Sequence, residues 1–310
     1  MIHRGKYRLL TRSDFDGLVC AIILNELQMV DEIEFVHPKD MQDGKINVSE
    51  RDITTNLPYV DGVYLAFDHH SSETIRNKFI HPNHIIDPDS PSTSRVLYNY
   101  FGRKEKLSPI SEEMLLAVDK TDGGYFTKED ILYPRNWELL NFILDPRSGL
   151  GRFQDFHKTN TKLMLDLIPV ASRAPIGEIL ALPPIKTRTD LYFRYEDDFK
   201  EQIHRCASEY NDLVMVDLRE EKTIYPGNRF MVYALSPLST LSLHVFWGLN
   251  QQNTVIAMGK SIFKRTSPVN IGEMMLEYGG GGHAYAGTTQ VPNAEAERVI
   301  REILKRVELD

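Results

Sequence analysis

Apolar and polar residues change their period several times along the chain, and each change predicts an element. Tyr7 to Leu10 reads as a first strand. From Gly17 to Val30 the apolar residues Leu18, Val19, Ile22, Ile23 and Leu27 recur at helical spacing, and Glu34 to Val36 reads as the strand that follows. The chain therefore opens as a βαβ unit. Val63 to Phe67 is an unbroken run of large, mostly apolar residues, the pattern of a buried strand in a parallel sheet, and it stops abruptly at Asp68, His69 and His70. Glu112 to Val118 is a helix with Ser111 as its N-cap. From Ile168 to Thr189 proline and small residues accumulate around a short helix, Ile176 to Leu182, which predicts a linker region between domains. Beyond it lie a helix from Glu196 to Tyr210 and strands at Leu213 to Val216, Arg229 to Tyr233, Leu241 to Trp247 and Thr254 to Met258. A closing helix spans Ala294 to Val307. The expected fold class is α/β: an N-terminal, mostly parallel sheet with helices on both faces over residues 1–185, and a smaller C-terminal α+β domain over 186–310.

Composition narrows the function classes. A chain of 310 residues suits two domains of ordinary size, and 42% hydrophobic with 26% charged residues describes a folded globular protein. The net charge of -8 argues against a protein that coats duplex nucleic acid, because that affinity rests on a basic face neutralising phosphates. Short anionic substrates held by a local basic pocket remain compatible. The two cysteines, Cys20 and Cys206, form neither a CxxC site nor a disulfide framework, which suggests a reducing cytoplasm. No apolar run approaches the roughly 18 residues of a membrane span, and the first residues lack the apolar region of a signal peptide, so a cytoplasmic protein is expected.

The candidate chemistry clusters where ligands collect. In open α/β sheets ligands bind just beyond the carboxyl ends of the strands, and Asp68, His69 and His70 fall there. Their hard oxygen and imidazole nitrogen donors suit a divalent ion such as Mn²⁺, Co²⁺ or Zn²⁺; the plainer reading is an N-cap and two surface histidines. Asp14 and Asp16, two apart before Gly17, can point both carboxylates at one site, or merely cap the helix. Asp52, at the end of a short predicted strand, and Asp122, before Gly123 and Gly124, are further carboxylates at element ends. Gly279, Gly280, Gly281 and Gly282 precede His283 and an expected helix start. Glycines let a backbone approach an anion closely, and His283 can donate to a phosphoryl oxygen, although a plain glycine turn looks similar. Lys260 and Arg265 add positive charge upstream, in what is otherwise read as a solvated loop.

Taken in order, Asp14-x-Asp16-Gly17, Asp52, Asp68-His69-His70, Asp122 with Phe126, and the run Gly279 to Gly287 resemble the DHH phosphoesterase superfamily with its DHHA1 substrate-binding domain. The resemblance spans nearly the whole chain and looks strongest toward the bacterial exopolyphosphatase-related group. It implies metal-assisted hydrolysis of a phosphate ester or phosphoanhydride in a cleft between the domains, with two divalent ions about 3.5 to 4 Å apart. Manganese is the expected metal, with Mg²⁺, Co²⁺ or Zn²⁺ as alternatives. By resemblance Asp14 serves the first metal, Asp16, His69 and Asp122 the second, and Asp52 bridges both, with Asp119 the rival to Asp122. Asp68 then orients a histidine or water, His70 faces the substrate, and Lys260, Arg265, Gly280, Gly281, Gly282 and His283 handle its phosphates.

One departure stands out: the metal-binding histidine that many members carry before the Asp-x-Asp pair has no counterpart, and Arg12 falls near its place. A guanidinium offers no lone pair to a cation. Three functions follow as expectations. The first is an exopolyphosphatase-like hydrolase. The second is a hydrolase of short nucleotides (oligoribonucleotides, pAp or cyclic dinucleotides), for which Phe263 or Tyr285 can supply a stacking platform. The third is a catalytically weakened phosphate-ligand binding or regulatory protein. The expected partner in each is a short phosphate-containing molecule, with a homodimer left open.

Overall fold

The computed structural model describes residues 6–77, 79, 81–107, 110–153 and 156–309. It divides into two compact units, Met1–Tyr125 with Pro134–Phe193, and Phe126–Tyr133 with Arg194–Asp310.

The first unit is built on five parallel strands, β1 (Tyr7–Arg12), β2 (Val30–Val36), β3 (Asp52–Thr55), β4 (Leu65–Asp68) and β5 (His84–Ile86), in the spatial order β2-β1-β3-β4-β5. From β1 the chain turns to one side for β2 and then to the other for β3. The strand order thus reverses between β1 and β3, and their carboxyl ends flank a crevice of the kind that binds ligands. Helix α1 (Phe15–Glu26) is buried along nearly its whole length, with Leu18 through Leu24 fully shielded, as expected for a helix apolar on every face. It ends earlier than its apolar pattern suggests, because the chain turns through a left-handed Gln28 (φ 54°) and Val30 already opens β2. The proline-rich segment does not form a linker. It folds as helices Ile176–Ala181 and Pro183–Arg194, with Ile179 and Ile185 in the core of the first unit; Pro183 and Pro184 fall in a first turn, where a missing N–H costs little.

The second unit carries a six-stranded sheet in the order β10-β11-β9-β8-β7-β6, formed by β6 (Ala207–Tyr210), β7 (Leu213–Asp217), β8 (Leu241–Trp247), β9 (Thr254–Lys260), β10 (Gly281–His283) and β11 (Ala286–Val291). Its neighbours are antiparallel except β7 and β8. That parallel pair explains one correction. Parallel neighbours need a crossover, and Arg229 to Tyr233, expected as a strand, instead enters a short crossover helix, Met231–Leu235. A second correction is that the helix from Glu196 stops at Cys206, leaving Ala207 to Tyr210 to pair with β7. Helices Ile271–Glu277 and Ala296–Leu309 supply Ile271, Met274, Met275, Val299, Ile300 and Ile303 to the core under the sheet. No helix among the described residues is long and apolar enough to cross a membrane.

A candidate metal and phosphate site

The strand ends of the first unit converge on a group of carboxylates and imidazoles. Asp14 caps α1, its Oδ1 accepting from the Gly17 N–H at 3.0 Å. A side chain at Gly17 would lie 1.9 Å from the Arg12 carbonyl oxygen, so glycine is what lets α1 start this close to β1. Asp16, in the first turn, points at the start of helix Thr93–Tyr100 and accepts from the amides of Thr93 (3.0 Å) and Ser94 (2.8 Å). From the end of β4, His69 sets Nδ1 3.1 Å from the Ser90 carbonyl oxygen and Nε2 2.9 Å from Asp122 Oδ2. Asp122 is the last residue of helix Glu112–Asp122. Asp119, one turn earlier, faces elsewhere and accepts from Ser92 Oγ at 2.8 Å and Arg95 Nε at 2.9 Å. Asp16, His69 and Asp122 each offer one donor atom, and these lie within 4.8 Å of one another. Beside them, Asp68 Oδ1 accepts from the His69 amide at 2.9 Å and lies 2.7 Å from His70 Nδ1.

The electrostatics are those of a centre short of positive charge. Burial, with the charge of Asp122 behind it, pushes the Asp16 carboxyl up to about 7. Burial likewise raises Asp14, against the pull of Arg12. Burial works against a charged His69, yet its hydrogen bond to Asp122 and the nearby carboxylates outweigh this and push the imidazole up to about 10. His70 is held well below its ordinary value by burial first and then by the charges of His69 and Arg12. Three donors converge, and a carbonyl accepting the Nδ1 proton leaves His69 Nε2 as the ligating nitrogen. These features fit one divalent ion.

Other expected residues fall elsewhere. Asp52 is not at a strand's carboxyl end: it opens β3, pairs in register with Arg8 near the start of β1, and takes the Arg8 guanidinium at 2.7 Å and the Ser49 amide at 2.6 Å. It therefore lies at the opposite edge of the sheet and cannot bridge ions at the site. The residue just past the carboxyl end of β3 is Asn56, which donates to Asp14 Oδ1 at 3.1 Å. Arg12 Nε pairs with Asp14 Oδ2 at 3.0 Å. Arg147, from the turn Asp145 to Gly149, adds a second guanidinium within electrostatic reach of Asp14, Asp122 and His70. Sequence reading misses Asn56 and Arg147. The turn chemistry of Asn56-Leu57-Pro58 and Asp145-Pro146-Arg147 is visible, but nothing in it shows which way a loop side chain points.

In the second unit Gly281 and Gly282 enter a strand with His283, after a turn at Gly279, and no helix starts there. Gly281 to His283 pair antiparallel with Ala286 to Thr288, and Gly282 (φ 152°) leaves no room for a side chain, whose Cβ would lie 2.1 Å from the Ala286 carbonyl oxygen. Tyr285, at the turn of this hairpin, is 52% exposed, and its ring carries the Lys260 ammonium 5.1 Å and the Arg265 guanidinium 5.3 Å from its centroid.

No family model and no curated protein matches the sequence. Solved structures do. The chain belongs to the DHH phosphoesterase superfamily, as its two-unit fold, its Asp-His-His strand end and its structural relatives together show. It is similar over 98% of its length, at 50% identity and a TM-score of 0.77, to the whole of the pGpG-specific phosphodiesterase PggH from Vibrio cholerae. The DHH domain of a member of a ribosomal protein family (9% identity, TM-score 0.59, 98% of this chain and 87% of that one) shares the fold. So does RecJ from Thermus thermophilus in complex with Mn²⁺ (14% identity, TM-score 0.53, 100% of this chain and 53% of that one).

Proposed function

We propose that the protein is a metal-dependent phosphodiesterase acting on short nucleotides, with a 5′-phosphorylated dinucleotide such as pGpG as its first candidate substrate. The observation that carries the reading is the convergence of Asp16, His69 and Asp122 on one point, in a chain half identical to a pGpG-specific phosphodiesterase. The similarity to a pGpG-specific phosphodiesterase favours the short-nucleotide alternative over the expected exopolyphosphatase-like enzyme.

Asp16, His69 and Asp122 would hold the ion, and the Ser90 carbonyl fixes the tautomer that turns His69 Nε2 toward it. A divalent ion there supplies charge opposite the phosphoryl oxygens and lowers the pKa of a water. Asp68 orients His70 through Nδ1, and burial first, then the charges of His69 and Arg12, keep its imidazole neutral beside the substrate. In the second unit Tyr285 offers an exposed ring on which a base can stack, and Lys260 and Arg265 put positive charge beside it for phosphate. His283 and the glycine strand are proposed to assist there, the glycines through shape and not through a helix dipole. The test is turnover of a panel of pGpG, pAp, cyclic dinucleotide and polyphosphate, with and without added Mn²⁺.

A further inference from the structure

Two ions are implied by the resemblance; Asp16, His69 and Asp122 offer the donors for one, and the two carboxylates expected to hold the other, Asp14 and Asp52, are engaged elsewhere. Asp14, expected to serve the other, has both oxygens engaged: Oδ1 accepts from Gly17 N (3.0 Å) and Asn56 Nδ2 (3.1 Å), and Oδ2 pairs with Arg12 Nε (3.0 Å). The expected bridge, Asp52, is held by Arg8 at the far edge of the sheet. Where a bridging carboxylate would be useful, just past β3, the chain places the neutral amide of Asn56. Its Oδ1 is buried with no hydrogen-bond partner among the described residues. One neutral oxygen beside a guanidinium is too poor a donor set for a divalent ion.

We propose that this centre takes a single divalent ion, at Asp16, His69 and Asp122, and that the guanidinium of Arg12 stands in the place of a second ion and binds the substrate's phosphate. The inference rests on the phosphoesterase reading above and specifies how its charge is arranged. Arg12 is suited to the task by its setting at the end of β1. Its Nε is anchored on Asp14, which is itself fixed by Asn56 and Gly17. The side chain is 28% exposed, and its terminal nitrogens make no other hydrogen bond among the described residues, which leaves the planar fork open for two phosphoryl oxygens. Arg147 adds a second fixed positive charge nearby. A fixed guanidinium supplies positive charge that does not depend on the supply of metal.

The test counts manganese on the full chain by equilibrium dialysis and elemental analysis, and reads the electron paramagnetic resonance spectrum at saturation. The expected result is one ion per chain with the six-line spectrum of an isolated Mn²⁺. Two ions per chain, or an exchange-coupled spectrum, would overturn the inference and leave the phosphoesterase reading standing; no bound ion would overturn both. Calorimetry with inorganic phosphate on the manganese-loaded protein then examines Arg12. Arg12→Ala should weaken phosphate binding by about tenfold or more while the metal count stays at one. Arg12→Gln, which keeps more of the side chain's packing, should show the same loss, and undiminished phosphate affinity in both variants would remove Arg12 from the site.

Discussion

Asp119 and Asp122 lie one helical turn apart on the same helix, and their neighbours give them different tasks. Asp119 is tied to Arg95 and Ser92, whereas Asp122 faces His69 and Asp16. Asp122→Asn should therefore weaken manganese binding by about 100-fold or more, beyond the 10 to 100-fold usual for an outer partner. Asp119→Asn should leave the metal in place and cost about 1 to 3 kcal/mol of stability, the usual loss for a broken charged hydrogen bond. Metal titration and urea melts of the two variants check this. A pH dependence follows from Asp16, whose carboxyl rises from an ordinary 3.8 to about 7. Because the native state holds this proton more tightly, the stability it confers is full below its ordinary value and is lost as pH rises through about 7. A bound ion replaces this proton and that of His69, so the metal-induced rise in melting temperature should grow as pH rises from about 5 through about 7 and on toward about 10, and Asp16→Asn should remove the lower part of that growth. Asp68, His69 and His70 are legible in the sequence because an apolar strand that stops at Asp68 marks its own end, whereas Asp122 shows only as a carboxylate before two glycines, its helix running one turn past the expected end at Val118. Asp52 is misplaced by sequence because Asp52 to Thr55 is so short that it shows a strand without showing which end meets the site. Asn56 and Arg147 are not legible, since loop residues carry no period.

At the scale of elements, burial decides what can be read in advance. β1, α1 and β4 are apolar and shielded, and their patterns survive in the fold. The elements that sequence misreads are those whose state depends on a distant partner. Met231–Leu235 is helical because β7 and β8 lie parallel and their connection must cross over, a fact of pairing that no local pattern in this segment contains. The second half of the glycine run, Gly281 and Gly282, is strand because β11 lies beside it and needs close backbone contact. Gly282→Ala should accordingly act on the sheet: the new methyl meets the Ala286 carbonyl at a positive φ, and a loss of about 1 to 3 kcal/mol is expected. Thermal melts and metal titration together test this. Reduced stability with manganese affinity unchanged is the expected outcome, because the ligands belong to the other unit.

Over the whole molecule, a chain of net charge -8 is proposed to act on an anionic nucleotide, and the charges that reconcile the two are local. Arg12 and Arg147 lie beside the proposed ion in one unit, and Lys260 and Arg265 beside Tyr285 in the other. A base-stacking ring flanked by cations favours a nucleotide over bare polyphosphate, whose chain has no face to stack. The central claim is a metal-dependent phosphodiesterase for short nucleotides, and single-turnover cleavage of pGpG by the manganese-loaded chain tests it most directly, run beside polyphosphate and beside the same protein stripped by chelation. The account predicts cleavage of pGpG that disappears with the metal and returns on adding it, with polyphosphate slower by about 100-fold or more, the loss expected when a site's polar groups find no partner. Cleavage of polyphosphate at an equal or greater rate, or cleavage of pGpG undiminished by chelation, would contradict it.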